Sequence, residues 1–126
     1  MFAGIDIGGT GIKGVITDAN AKIITSSETP TPATAQDIDF AIAGLIECML
    51  KRCNIKPNKL RAIGIGAAGS IDNRNGIAIH SPNIPAWKNY PLAEKIRSLT
   101  GTPVVLENDA TVATAGAWLQ ENIIKY

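Results

Sequence analysis

A chain of 126 residues with 12 lysines and arginines against 11 aspartates and glutamates has a formal charge of +1 and no block of like charge. That balance argues against nucleic acid as a partner, because backbone phosphates are held by clustered basic residues. With 45% hydrophobic residues, the length suffices for one domain with its own core. No apolar run approaches the roughly 18 residues of a membrane span, and no charged-then-apolar leader precedes Phe2. A soluble, cytoplasmic protein with no membrane partner is therefore expected. Cys48 and Cys53 fit neither a zinc pair nor a redox C-x-x-C spacing, and buried or half-buried free thiols are expected.

The chain opens on FAGIDIGGTGIKGVITD, residues 2–18. An apolar β-prone run (Phe2, Ile5, Ile7) delivers Asp6 into the turn Gly8-Gly9-Thr10-Gly11. A second β-branched run (Ile12, Val15, Ile16) then leaves, with Lys13 just past the turn. Glycines at such a turn let consecutive N–H groups approach an anion with no Cβ in the way. An acid beside it suits Mg²⁺, which keeps its waters and takes few protein carboxylates. The stretch reads as a phosphate and Mg²⁺ loop at a β-hairpin.

Two other phosphate motifs compete. Gly9-x-Gly11-x-x-Gly14 matches the dinucleotide spacing, with Glu28 placed as the ribose acid, but that motif needs its glycines to open a helix. Here they lead into two β-branched runs joined by Asp18-Ala19-Asn20, which reads strand-turn-strand. No Gly-Lys-Ser/Thr of a Walker loop occurs. A plain structural glycine hairpin is the remaining alternative.

In order, residues 2–7, 11–18 and 21–28 read as three antiparallel strands, and Thr29-Pro30-Thr31-Pro32 as an extended connector. Thr34-x-x-Asp37 resembles a capping box, opening a helix over 35–53 whose core face is Ile38, Ile42, Leu45, Met49 and Cys53. Residues 54–58 break the helix. Residues 60–66 read as a buried strand ending in Gly66-Ala67-Ala68-Gly69-Ser70, small residues that leave space at a strand's carboxyl end, where open α/β sheets hold their ligands. Residues 71–80 read as a hairpin turning at 73–76. The loop Ser81-Pro82-Asn83-Ile84-Pro85-Ala86-Trp87 follows, with an amide suited to sugar hydroxyls and an indole expected to plug the core rather than stack on a sugar. His80 has no evident partner and is expected to be structural. Residues 91–99 read as a short helix with Pro91 near its first turn and Gly101 ending it. Residues 103–106 read as a buried strand delivering Glu107-Asn108-Asp109 to a final helix over about 110–121.

Three segments in this order, DIGGTGIKG, then GAAGSID with HSPNIPAW, then PVVLENDATVATAGAW, resemble the ROK family of repressors, uncharacterised reading frames and sugar kinases, within the actin-like ATPase superfamily. They cover nearly the whole chain. The resemblance implies a ribonuclease-H-like α/β domain: a mixed five-stranded sheet, three antiparallel strands continued by two parallel ones, flanked by helices. It implies phosphoryl transfer from ATP, with Mg²⁺, to a hexose or N-acetylhexosamine hydroxyl. By the same resemblance Asp109 is the catalytic base. Gly69, Asn83, Glu107 and Asn108 line the sugar site. Asp6, Gly8, Gly9, Thr10 and Lys13 face the terminal phosphates, with Asp6 holding Mg²⁺ through water.

ROK kinases are about twice this long, and their second half carries another phosphate loop, the adenosine site and usually a zinc-binding cysteine cluster, so no zinc site is expected here. The expectation is an N-terminal lobe, residues 1–126, inactive alone and prone to homo-oligomerise through exposed apolar surface. A non-catalytic sugar-sensing or subunit-pairing module is the alternative. With no helix-turn-helix ahead of the first strand, the repressor branch is not expected.

Overall fold

The computed structural model describes residues 1–108; the expected final helix and Asp109 lie outside the described residues. In chain order the elements are β1 (Phe2–Ile7), β2 (Gly11–Thr17), β3 (Ile23–Pro30), α1 (Ala35–Arg52), a 3₁₀ turn (Pro57–Lys59), β4 (Ala62–Ala67), β5 (Ser70–Asp72), β6 (Ile77–His80), β7 (Lys88–Tyr90), α2 (Leu92–Thr100) and β8 (Val104–Asn108). Five strands form one sheet in the order β3-β2-β1-β4-β8, and β5-β6-β7 form a second. The pairs β1–β2 and β2–β3 are antiparallel, while β1–β4 and β4–β8 are parallel. The expected mixed sheet is thus observed.

Strand alternation divides the large sheet into two faces. Ala3, Ile5, Ile7, Ile12, Ile16, Ile63, Ile65 and Leu106 join one core with Ile38, Ile42, Leu45, Ile46 and Met49 of α1 and Leu92 and Ile96 of α2. On the opposite face Phe2, Ala62 and Val105 form a small second cluster. Gly14 of β2 lies beneath α1, where a Cβ would stand 2.8 Å from Met49 Cε and 3.1 Å from both Ile5 Cδ1 and Leu45 Cδ2. The third glycine of the dinucleotide spacing is therefore a packing glycine. Because Gly11 opens a strand and not a helix, the dinucleotide reading fails.

Several boundaries differ from expectation for local reasons. The β2–β3 turn is longer than predicted because the Asp18 carboxylate accepts from the N–H groups of both Asn20 and Lys22, at 2.9 and 3.0 Å, and Ala21 adopts a left-handed φ of 63°. β3 then runs on through Thr29 and Pro30, which it can do as an edge strand needing no outward donor. The Arg52 guanidinium, at the end of α1, donates to Ser26 O at 2.9 Å and lies 3.3 Å from Thr25 Oγ1, placing a charge on an edge open to further strand pairing. At the start of α1 the expected cap is present, with Thr34 Oγ1 accepting from Asp37 N at 3.1 Å. Gly101 ends α2 in a left-handed conformation (φ 71°), its N–H donating to Arg97 O at 2.8 Å. Cys53 is half-buried, but Cys48 is exposed, because only one side of α1 faces the sheet and residue 48 lies off it. β7 was not legible at three residues.

Trp87 is fully buried within the core, so the indole plugs the fold. β7 is fastened to α1 by the Tyr90 hydroxyl, which donates to Asp39 Oδ2. Asp39 is only 4% exposed, and its Oδ1 has no partner among the described residues. Burial raises the Asp39 carboxyl above its ordinary value, opposed by the Tyr90 hydrogen bond and the Lys95 charge. Burial and the adjacent carboxylate push the phenol well above its own usual range, so Tyr90 remains a donor.

Two outcomes follow. A native pKa above the unfolded one gives stability that is fully present in acid and lost as pH rises through the native value. Asp39→Asn keeps an acceptor for Tyr90 and cannot ionise, so its thermal midpoint should gain on the parent's as pH rises above about 4, the ordinary carboxyl value. A midpoint difference independent of pH would contradict this. Gly14→Ala should cost ~1–2 kcal/mol in urea denaturation, towards the lower end for overpacking because the Met49 terminus can move.

Candidate functional site

Three neighbouring strands finish in one row. Ile7, the last residue of β1, is in register with Ala67, the last of β4, and Ala67 with Asn108, the last of β8. The Gly8–Thr10 turn, the Ala68-Gly69 turn and the exit towards Asp109 therefore leave the sheet side by side. Glu107 and Asn108, expected to lie beyond their strand, are instead its last two ladder positions. Their register with Gly66 and Ala67 shows that the sheet itself fixes them. Asp109, next in the chain, lies outside the described residues.

One position back, the register runs Glu28–Lys13–Asp6–Gly66–Glu107 across all five strands. Cross-strand partners share a face, so Lys13 stands beside Asp6 and the Glu107 carboxylate lies beyond the bare Gly66. At 4.7–4.9 Å per strand, Asp6 and Glu107 are separated by about 10 Å. Asp6 and Lys13 are exposed and Glu107 is half-buried. Glu107 Oε1 is 3.5 Å from Asn73 Nδ2 of the β5–β6 turn, a contact at the outer limit of a hydrogen bond.

The glycine turn is closed by Gly8 N donating to Gly11 O at 2.9 Å. Two of its carbonyls face the segment leaving β3: Thr31 Oγ1 donates to Gly8 O at 2.6 Å, and Thr31 N donates to Thr10 O at 3.2 Å. Gly9 touches the 81–87 loop, where a Cβ on residue 9 would stand 2.9 Å from Asn83 Cβ and 3.0 Å from Asn83 O. Gly69 has φ +112°, and a Cβ there would stand 2.3 Å from His80 O and 2.8 Å from Ser81 Cα. Both glycines are thus required by backbone approach. The 81–87 loop is itself braced, with Ile84 N donating to Ser81 O and Trp87 N to Ile84 O, at 3.2 and 3.1 Å. Asn83 is exposed at its tip, and the His80 side chain is exposed as well.

The structure therefore brings Asp6, Gly8, Gly9, Thr10, Lys13, Gly69, Asn83, Glu107 and Asn108 to one edge. Sequence reasoning missed Thr31 and Asn73. Thr31, between two prolines, read as a connector, and Asn73 as a turn residue. An apolar cleft of about 250 Å³ between α1 and α2, lined by Ile46, Leu50, Leu60 and Leu99 among others, adjoins the amino ends of β4 and β8. It carries none of these polar groups. The arrangement at the carboxyl edge can hold an anion on backbone N–H groups, a hard cation on Asp6, and a polyhydroxylated ligand on Asn83, Glu107 and Asn108.

The sequence profile of the ROK family matches residues 2–123. A glucokinase of Streptomyces coelicolor is 37% identical over 118 residues, which make up 94% of this chain and 35% of that protein. The crystal structure of a ROK family glucokinase from Streptomyces griseus in complex with glucose and AMPPNP superimposes with a TM-score of 0.77 at 36% identity, covering 86% of this chain and 33% of that one. A ROK hexokinase from Thermus thermophilus gives a TM-score of 0.77 at 32% identity, covering 86% and 35%. The chain thus spans about a third of the length of the relatives it matches, less than the half expected. Motif order, sheet topology and the matched span agree: the chain belongs to the ROK family, with the actin-like ATPase fold.

Proposed function

We propose that the chain is the N-terminal lobe, residues 1–126, of an ATP-dependent kinase acting on a hexose or N-acetylhexosamine hydroxyl. The observation that carries this reading is the common row in which β1, β4 and β8 end, with the glycine turn and Asn83 in contact beside it. The reading is supported by the likeness to a glucokinase solved with glucose and AMPPNP. The same proposal extends to a cytoplasmic whole protein, since that compartment supplies ATP.

In this reading Asn83, Glu107 and Asn108 orient the sugar, and Gly69 gives the 81–87 loop room to reach it. The N–H groups of Gly9 and Thr10 and the Lys13 ammonium face the terminal phosphates, and Gly8, whose own N–H closes the turn on Gly11 O, lines the same loop. Asp6, exposed and offering hard oxygen donors beside the turn, fits Mg²⁺ held through water; the ion would supply charge neutralisation at the phosphates. Phosphoryl transfer asks mainly for position and charge neutralisation. The sugar hydroxyl oxygen forms the new bond to the terminal phosphorus, the bridging P–O bond breaks with its electron pair leaving on ADP, and the hydroxyl proton passes to the Asp109 carboxylate.

The whole enzyme tests this. Asp109→Asn should lower kcat by about 10²–10⁴-fold, the range for a lost general base, while sugar affinity measured by calorimetry stays near that of the parent. Near-normal turnover would sink the assignment. The 126-residue chain alone should show no phosphoryl transfer from ATP to glucose in a coupled ADP assay; measurable transfer would show that one lobe suffices. If the chain is a non-catalytic sensing module instead, Asp109→Asn changes neither binding nor any activity of its assembly.

A further inference from the structure

We infer that Thr31 is a positioning residue for the phosphate-binding turn, setting the direction in which its backbone N–H groups point. The inference rests on the kinase-lobe reading above and extends it to a residue outside the glycine motif.

The Gly8–Thr10 turn has few internal restraints, and its glycines permit several backbone directions. One bond, Gly8 N to Gly11 O at 2.9 Å, closes it. Thr31 supplies two more from outside: its hydroxyl donates to Gly8 O at 2.6 Å and its N–H donates to Thr10 O at 3.2 Å. Both bonds hold carbonyls. With the Gly8 and Thr10 carbonyls turned towards Thr31, the Gly9 and Thr10 N–H groups are left without a backbone acceptor among the described residues. An anion nest needs this separation, with donors converging on one side and acceptors fastened away from it. A Gly8 carbonyl free to rotate would set its oxygen against an incoming phosphate.

Thr31 is well placed to act as an anchor. Pro30 precedes it at the end of β3, in register with Gly11, so Thr31 leaves the sheet beside the turn it holds. Pro32 follows and keeps Thr31 extended. Flanking prolines remove much of the local freedom that would otherwise let the hydroxyl swing away. The residue is half-buried and sits behind the turn, so it acts through Gly8 and Thr10 and does not itself touch phosphate.

The test uses the 126-residue chain, ¹⁵N-labelled, titrated with Mg²⁺–tripolyphosphate while the amide signals of Gly9 and Thr10 are followed. Thr31→Val removes the hydroxyl and keeps the N–H bond; Thr31→Ser keeps both. The valine variant should bind tripolyphosphate roughly two- to tenfold more weakly, the range that one net hydrogen bond supplies, and serine should restore parental affinity. Amide exchange at Gly9 and Thr10 in the unliganded valine variant should rise while signals from β4 and α2 stay in place. A role confined to stability would instead lower the thermal midpoint and leave affinity unchanged. Thr31→Ala replaces valine if valine unfolds the chain. Equal affinity in parent and valine variants overturns the positioning role and leaves the kinase-lobe reading standing. No binding by the parent chain overturns the phosphate reading of the turn, and this inference with it.

Discussion

At the carboxyl edge of the sheet, two backbones approach so closely that residue 9 cannot carry a Cβ without standing 2.9 Å from Asn83 Cβ. The same constraint recurs at Gly69, whose absent side chain would lie 2.3 Å from the His80 carbonyl oxygen. Together the two approaches tie three loops to one another: the turn after β1, the turn after β4, and the 81–87 segment. Sheet register already fixes where β1, β4 and β8 end. The glycine contacts fix what happens one and two residues later, where hydrogen-bond ladders no longer hold the chain. For chemistry that depends on positioning, this is the step most easily lost, since a misplacement of about 1 Å can cost a hundredfold in rate.

The small β5-β6-β7 sheet carries one wall of that edge and is itself fastened at several points. Gly76, with φ +69°, lies where a Cβ would be 2.4 Å from Ala93 Cβ, and Ala93 N donates to Gly76 O at 3.1 Å, so the hairpin turn is docked on α2. Tyr90 ties β7 to α1 through Asp39, and Trp87 fills the core between. These are internal contacts, apolar or hydrogen-bonded at short range. The side-chain hydrogen bond that reaches the polar edge, Asn73 to Glu107, is exposed and long at 3.5 Å. The hairpin is therefore anchored from the helical side, and Glu107 takes its position mainly from its place on β8.

Much of this was legible in the residues, for identifiable reasons. The β1–β2 hairpin announced itself because Gly8-Gly9-Thr10-Gly11 separates two β-branched runs. The α1 start was legible in Thr34 and Asp37, and the α2 end in Gly101, because capping is local chemistry. What escaped depended on partners distant in sequence. That β3 continues through Pro30 follows from its being an edge strand, which no local pattern states. That Glu107 and Asn108 remain on β8 follows from pairing with Gly66 and Ala67, some forty residues earlier. Thr31 looked like a linker because its role lies 23 residues away at Gly8. The glycines show the same limit: Gly9, Gly11 and Gly14 are spaced like a dinucleotide motif, and only the opposing residues, Asn83 for Gly9 and Met49 and Leu45 for Gly14, reveal that close packing bars a side chain at these two positions.

The row Lys13–Asp6–Gly66–Glu107 gives the edge its electrostatic division. Two carboxylates about 10 Å apart repel by roughly 0.4 kcal/mol in water, and salt reduces this further. The sheet can therefore present both on one face without appreciable penalty, and Lys13 beside Asp6 offsets part of even that. Closer placement would have changed the outcome: on adjacent strands the same pair would stand about 5 Å apart and repel roughly twice as strongly, in a site that loses water when occupied. Interposing β4 avoids this, and its last residues, Gly66, Ala67, Ala68 and Gly69, put no bulk into the space between. On the kinase-lobe reading proposed above, an acid for the phosphate side and polar residues for the hydroxyl side are kept one strand apart, with a nearly bare strand end between them where a transferred group would pass.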